Sequence, residues 1–562
     1  MLGKKNYQEK LYMNFQLSQR IPKDNFYRRL KEFLNLKFLY KLVEPYYGKE
    51  GQKSIDPVVF FKLMLVSYLE NILYDRKLID FVSMRLDILY FLNYDIDEEL
   101  PWHSTISRTR KLFPKSMFEE VFNRVLELCV ESGMVAGHTQ AIDSAYIKAN
   151  ASLDSLEKKQ PKQSVEEYIA KTYGENKDES PRRKAKQDKS NKGQRTIQSD
   201  KNQLRDLKTH QKWFKDKEGG PMGSQDPRAK YLSNKTHYSP VDPDSRIAVK
   251  PGKPRQLCYL GNLSVDTANH VITNIQANHS DRKDSRYLID VARKTNQQLK
   301  INNLIMKRLL ADAGYSSGEN YKYLESINVD GFIPLHGQYE GTREGFVYEP
   351  EQDRWRCRNG KYVTFRKIKY QKGHPEKHYL TTSLDCKGCP FAKECLGRSN
   401  EKRIRITAYK EEYDRAKERA NSNKGIIMKK VRQSTVEPVF GTLINFMGMK
   451  KISSRGIEQA NKVMLMAGTA YNLQKLMRYV QKARKTAALR MRIMAEQIYL
   501  EVNNAFLQFW KLFMPDNIKL YGHEITCYYK HEVDIDKLYK IIYNLKVVQQ
   551  THGVYRMPSY VI

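Results

Sequence analysis

Three acidic residues stand in contexts unlike those of ordinary surface charge. Asp143 lies in TQAIDSAYIKA, which reads as a strand carrying one carboxylate. Asp312 follows a strand read at Met306–Leu310 and precedes Gly314, where the strand yields to a glycine turn and a helix over 318–327. Glu437 lies in VRQSTVEPVFGTLINF, a helical segment over 431–446 in which Pro438 either kinks the helix or marks its start. Carboxylate oxygens are the donors a hard cation such as Mg2+ requires. Two such ions, about 3.5–4 Å apart, can hold the attacking and leaving oxygens of a phosphodiester. One acid alone would read as solvated surface. The three are far apart in the chain, so their convergence is a tertiary matter. Two neighbouring strands and one helix, in a mixed sheet flanked by helices, would achieve it.

The segments around them divide into blocks. Residues 1–135 read as helical. Asp24 is the expected cap of a helix running from Phe26 to Leu42, and Asp56 with Pro57 at the first helical position opens another. PWHSTISRTRKLF then carries Arg108, Arg110 and Lys111 on a helix expected to open on a Ser/Thr cap, and the short helices closing on it resemble a helix-turn-helix module; the alternative is a solvated face. Strands are expected at 255–265 and 271–277 with Asn269-His270 at the turn, and a helix over 285–302. Residues 155–230 form a polar, basic stretch with Arg182 and Arg183 in its densest part, read as a flexible insertion that tracks phosphate or as a plain linker.

Composition narrows the partner. The 562 residues include 98 Lys and Arg against 64 Asp and Glu, a net +34, which points to a polyanion, nucleic acid first. With 40% hydrophobic and 11% aromatic residues, wholesale disorder is excluded. The most apolar run, 58–68, is interrupted by Lys62 and is about half the ~20 residues of a bilayer span, so no membrane association is expected. The basic N-terminus lacks an apolar stretch behind it, and seven cysteines fit a reducing compartment, so the expected location is the cytoplasm, at the nucleoid when bound to DNA.

Four cysteines crowd into a strand- and turn-rich stretch, 331–420. Cys357, Cys386, Cys389 and Cys395 could hold a structural Zn2+; the alternative is a small core of free thiols. Phe346, Tyr348, Trp355, Tyr362 and Phe365 alternate and are expected mostly as core.

Residues 54–113, from SIDPVVFFKLMLVSYLENILYDRKLIDF to HSTISRTRKLF, resemble the InsH-type N-terminal domain of bacterial insertion-sequence transposases. AIDSAYIKA, LLADAGYSSGENY and VEPVFGTLINFMGMKKISSRG resemble the acid motifs of the DDE domain of those proteins, as do SNKTHYSPVDPDSRI and the helix ending AGTAYNLQKL. The resemblance spans roughly 20–480. It implies an α/β, RNase H-like core with a β-rich insertion, preceded by a helical DNA-binding domain. It implies Asp143, Asp312 and Glu437 as catalytic acids, two Mg2+ or Mn2+ per site, and double-stranded DNA, both element ends and target, as partner. Two ends must be held together, which implies a homodimer or a larger synaptic assembly. Many relatives carry a Lys seven residues after the third acid, where this chain has Ile444, and an Arg four before it, where this chain has Arg432 five before. Arg432, Lys450, Lys451 and Arg455 are the basic candidates for contact with DNA near the cut.

The expected organisation is therefore 1–135 helical and DNA-binding, 136–480 catalytic with insertions at 155–230 and 331–420, and 481–562 a helical extension. The expected activity is binding of terminal inverted repeats, cleavage of the ends and transfer of the 3′-OH strands to target DNA. The alternative is a catalytically inactive repressor or architectural protein of the same descent.

Overall fold

The computed structural model describes residues 16–47, 54–161, 232–248 and 255–513 except 338, 340 and 372, with short strand pieces at 196–197, 519–520 and 523–524. The expected basic insertion, with Arg182 and Arg183, lies largely outside the described residues. The chain falls into two compact units, Met1–Met477 and Arg478–Ile562.

The N-terminal part is helical: α1 (Leu17–Arg20), α2 (Phe26–Phe33), α3 (Leu39–Val43), α4 (Pro57–Leu69), α5 (Asp75–Ser83), α6 (Leu86–Leu92), α7 (His103–Leu112) and α8 (Lys115–Glu131). Asp56 caps α4, its Oδ1 accepting from the N–H groups of Val58 (2.7 Å) and Val59 (3.1 Å), with Pro57 in the first turn. The apolar run makes α4 the hub: all its residues but Val58 and Leu69 are buried, including Phe60 and Phe61 against Phe113 and Phe118. Three local expectations fail: α7 opens on Trp102 with no side-chain cap, and α2 departs from its expected cap and end. The cap of α2 is Asn25, not Asp24; its side chain accepts from the N–H groups of Tyr27 and Arg28. The helix from Phe26 stops at Phe33, because Leu34 turns extended and is buried, along with Leu36, outside the helix.

The main sheet consists of β1 (Thr139–Lys148), β2 (Arg246–Ala248), β3 (Gln256–Asp266), β4 (Ile272–His279), β5 (Arg308–Leu310) and β6 (Asp330–Phe332). Its order is β6-β5-β1-β3, with β4 and the short β2 both on the far side of β3. β1, β5 and β6 run parallel, whereas β1–β3 and β3–β4 are antiparallel. His270, at positive φ, turns the chain between β3 and β4. β3 is buried along almost its whole length, as a central strand covered on both faces must be.

Helices close the sheet: α9 (Leu288–Ile301), α10 (Gly318–Ser326), α13 (Lys410–Asn421), α14 (Asn423–Phe446) and α15 (Ile457–Phe513), two short helices between α10 and α13 being described below. α9 packs on β3 and β4, and α14 on β1, β3, β5 and β6. Early in α15, two asparagines bond the backbone of edge strand β4. Asn472 takes the N–H and C=O of Ile272 (2.9 and 2.8 Å), and Asn461 those of Ala277 (2.9 and 3.2 Å). Gly468 lies against Ile275 and Phe122, so α15 touches both β4 and α8 there. α14 starts eight residues before the expected segment, capped by Ser422, and continues through Pro438.

A second sheet, an antiparallel meander, follows β6: β7 (Phe346–Glu349), β8 (Arg354–Cys357), β9 (Tyr362–Gln371), β10 (His374–Leu380) and β11 (Arg403–Thr407). Its core is Trp355, Val363, Tyr379, Ile404 and Ile406, with Phe346 and Tyr348 packed against it. Tyr362 and Phe365 do not join the core, because nearly all of β9 is exposed. Between β10 and β11 come α11 (Ser383–Cys386) and α12 (Ala392–Leu396).

Candidate active site

The parallel register of β1 and β5 pairs Thr139 with Arg308 and Ala141 with Leu310. Two residues further along each chain stand Asp143 and Asp312, level with each other where β5 ends. Neighbouring strands lie about 4.8 Å apart, so the two carboxylates share one corner of the sheet. Asp312 opens the one-turn helix Ala313–Tyr315, its Oδ1 accepting from the Gly314 N–H at 2.9 Å. A side chain at 314 would meet that oxygen at 3.0 Å, which is the close approach the glycine permits.

Asp143 is the perturbed member. Burial pushes its carboxyl up to about 6, and Asp312 adds to the rise; the Ser144 N–H and Arg432 oppose it. Arg432 on α14 donates from Nη1 to Asp143 Oδ2 at 2.9 Å, with both side chains less than one-fifth exposed. The arginine expected to meet phosphate is thus held against the first acid.

Sequence reasoning missed a fourth acid. Asp284 belongs to a helical turn, Asp284–Arg286, between β4 and α9. Its Oδ1 accepts from Ser144 Oγ at 2.9 Å, and its Oδ2 lies 3.2 Å from where a Cβ on Gly314 would be, on the same side as Asp312. Beneath the corner, Tyr315 is fully buried and donates to Asn262 Oδ1 at 3.2 Å. Burial, and then the charges of Asp284, Asp143 and Asp312, hold its phenol protonated well above the usual range. No pattern around Asp284 in the sequence signals its place; only the packing of its turn against Ala313–Tyr315 does.

Glu437 is exposed on α14, beside the buried stripe Val436, Val439, Phe440 and Leu443 that faces the sheet. Ile444 is half-buried. Among the described residues, no three Asp, Glu, His or Cys side chains are grouped closely enough to hold a metal ion. The donor set nevertheless suits a hard divalent cation. Asp143 and Asp312 offer carboxylate oxygens, and the desolvated Asp143 is already balanced by a positive charge, that of Arg432.

The basic candidates divide. Arg108 and Lys111 are exposed on α7. Arg110 is not available in the same way. Its guanidinium donates to both oxygens of Asp75 on α5 (2.5 and 3.1 Å), and its side chain is 13% exposed. It braces α7 against α5. Lys450, Lys451 and Arg455 are exposed on the segment after α14. Lys451 bridges to Lys148 at the end of β1, and with Arg255 they line a cavity of about 460 Å³. A further basic surface was not foreseen: β9 exposes Arg366, Lys367 and Lys369 beside Ile368 and Tyr370.

An α/β sheet with carboxylates level on adjoining parallel strands, and basic side chains around it, is the class of site that fold and charge define. Residues 15–112 match the family described as Transposase domain (DUF772), and residues 356–477 match that described as Transposase DDE domain. These two matches support an insertion-sequence DDE transposase. The second match includes Arg432 and Glu437; Asp143 and Asp312 fall outside both. No curated protein and no solved structure matches the chain. Transposases act on DNA, and among the described residues no helix is long and apolar enough to cross a membrane.

Proposed function

We propose that the protein binds the ends of its element, cuts the DNA there and transfers the 3′-OH strands to target DNA, on an RNase H-like sheet, with Asp143, Asp312 and Glu437 as the acids. The observation that carries this reading is the level placement of Asp143 on β1 and Asp312 just past the end of β5, in the central parallel pair of a sheet that is antiparallel on its other side. Glu437 is the third acid because α14 lies across those strands.

Asp143 and Asp312, with Glu437, would hold divalent cations of the Mg2+ kind. Bound there, they supply activation of the attacking oxygen and stabilisation of the leaving one. The chain's own residues do the rest. Arg432 keeps Asp143 oriented and charge-balanced, and Ser144 ties β1 to Asp284. Tyr315 fills the floor of the corner. Exposed Lys450, Lys451 and Arg455 bind the phosphates that flank it, and Arg108, Lys111 and the 155–230 insertion with Arg182 and Arg183 bind the duplex more widely. Synapsis of two ends calls for at least two chains on DNA.

The test is cleavage of a labelled duplex bearing the element's end, with Mg2+ against EDTA, for the wild type and for Asp143→Ala, Asp312→Ala and Glu437→Ala. Metal-dependent nicking at the boundary, lost in each variant with end binding kept, is the expected result. A variant that nicks at the wild-type rate removes its acid from the site. Tight end binding without nicking under any metal would make the protein a repressor of transposase descent.

A further inference from the structure

We propose that Cys357, Cys386, Cys389 and Cys395 form a four-thiolate structural Zn2+ site that fastens the connection between β10 and β11 to the end of β8, distinct from the acid corner. The cysteines are not a thiol core. The apolar core of the second sheet contains none of them, and all four are free and half-exposed. Unliganded cysteine is among the most buried residue types, so four at half exposure in one place require another reason.

The local backbone supplies one. Cys386 and Cys389 flank a tight turn in which the Cys389 N–H points to the Cys386 carbonyl (3.4 Å) and Gly388 takes φ +72°, a conformation that favours glycine. Cys357 stands at a second glycine turn. Its N–H donates to the Lys361 carbonyl and its own carbonyl accepts from the Gly360 N–H, both at 2.9 Å, with Gly360 at φ +74°. Tight turns carrying closely spaced cysteines are the usual mounts of structural zinc. Cys357, Cys389 and Cys395 line one cavity of about 210 Å³, though far enough apart that no three ligands yet surround a point. Zinc binding would draw α11 and α12 in toward the β8 turn.

These two helices need such a tie. They have four and five residues, too few to be stable alone, and neither buries a single side chain. One positive charge reaches the cysteines directly. A zinc ion with four thiolates carries two net negative charges. Arg358 and Lys402 line the cavity together with Glu344 and Glu394, and Lys402 is the charge that reaches a cysteine, its Nζ donating to the Cys395 carbonyl at 2.6 Å. Thiolates select zinc over the hard ions suited to the carboxylates. Binding replaces the four thiol protons, which leave to solvent as the Zn–S bonds form.

The experiment uses the full chain, purified without chelator. Elemental analysis should find about one zinc per chain, present equally in Asp312→Ala and lost in Cys389→Ser. Because a cysteine variant could fail to fold for other reasons, the wild type is also exchanged with Co2+. A tetrahedral thiolate spectrum, with sulfur-to-cobalt charge transfer and intense visible bands, supports the site. Zinc should also shield the four thiols from Ellman's reagent until a chelator is added. Absence of zinc with thiols reactive regardless of added Zn2+, an octahedral cobalt spectrum, or a disulfide between any two of the four would overturn the proposal.

Discussion

The acid corner and the cysteine-bearing meander solve opposite problems. At the corner, residues distant in the chain meet because β1 and β5 adjoin in register, and burial does the chemical tuning: it raises the Asp143 carboxyl and sets Arg432 against it. In the meander, consecutive strands pair with consecutive strands over residues 346–407, the core is five side chains, and the loop that holds three of the cysteines buries almost nothing. The first region has enough packed sheet and helix to tolerate a strained electrostatic arrangement. The second has so little core that a metal clip would matter to its order.

The comparison yields predictions in descending size. Asp312→Ala should reduce metal-dependent strand cleavage to background in a gel assay while end binding, measured by mobility shift, is kept; Trp355→Ala should instead act through folding. Trp355 is 1% exposed at the centre of the meander core, and its truncation should destabilise that sheet by roughly 3–5 kcal/mol. Denaturant unfolding should then show an early transition. A single unchanged transition would mean that the meander draws its stability from elsewhere.

The pH response separates the regions further. Asp143 carries a raised carboxyl, from an ordinary 3.8 to about 6, so between those values the folded state holds a proton the unfolded chain has released. Its contribution to stability is therefore greatest below pH 4 and is lost as the pH rises through 6, by about 3 kcal/mol at most. Without divalent metal, Asp143→Asn should flatten the fall of the melting temperature over that window. An identical slope in the variant would show that the carboxyl is not desolvated. Arg110→Ala should lower stability by about 1.5–3 kcal/mol through loss of its paired hydrogen bonds to Asp75, read as a lower melting temperature with end binding near wild type. The smallest effect is on salt dependence. Lys450→Ala and Lys451→Ala should each reduce the slope of log affinity against log salt by about one unit per lost phosphate contact; an unchanged slope would place the DNA elsewhere.

Much of this was legible in the residues. The cap at Asp56 with Pro57, the strand around Asp143, the turn at His270 and the strand–glycine–helix unit at Asp312 follow from local rules of hydrogen bonding and steric freedom, and each stands where its residues indicate. Local rules erred where tertiary packing competes. Asn25 rather than Asp24 caps α2, and Leu34 and Leu36 leave the helical pattern to enter the core. The role of Arg110 was equally hidden, since a basic helix face looks the same whether it meets DNA or an aspartate on the next helix.

By itself the sequence determined the element types, the basic character, the acid motifs and the cysteine cluster, because these depend on residue chemistry and on spacing of a few positions. Tertiary structure alone decided that Asp143 and Asp312 are level, that Arg432 pairs with Asp143, and that Asp284 joins them through Ser144 and Gly314. Those outcomes depend on strand order, on register and on the loss of water around a carboxylate, and they arise only when segments far apart in the chain come together.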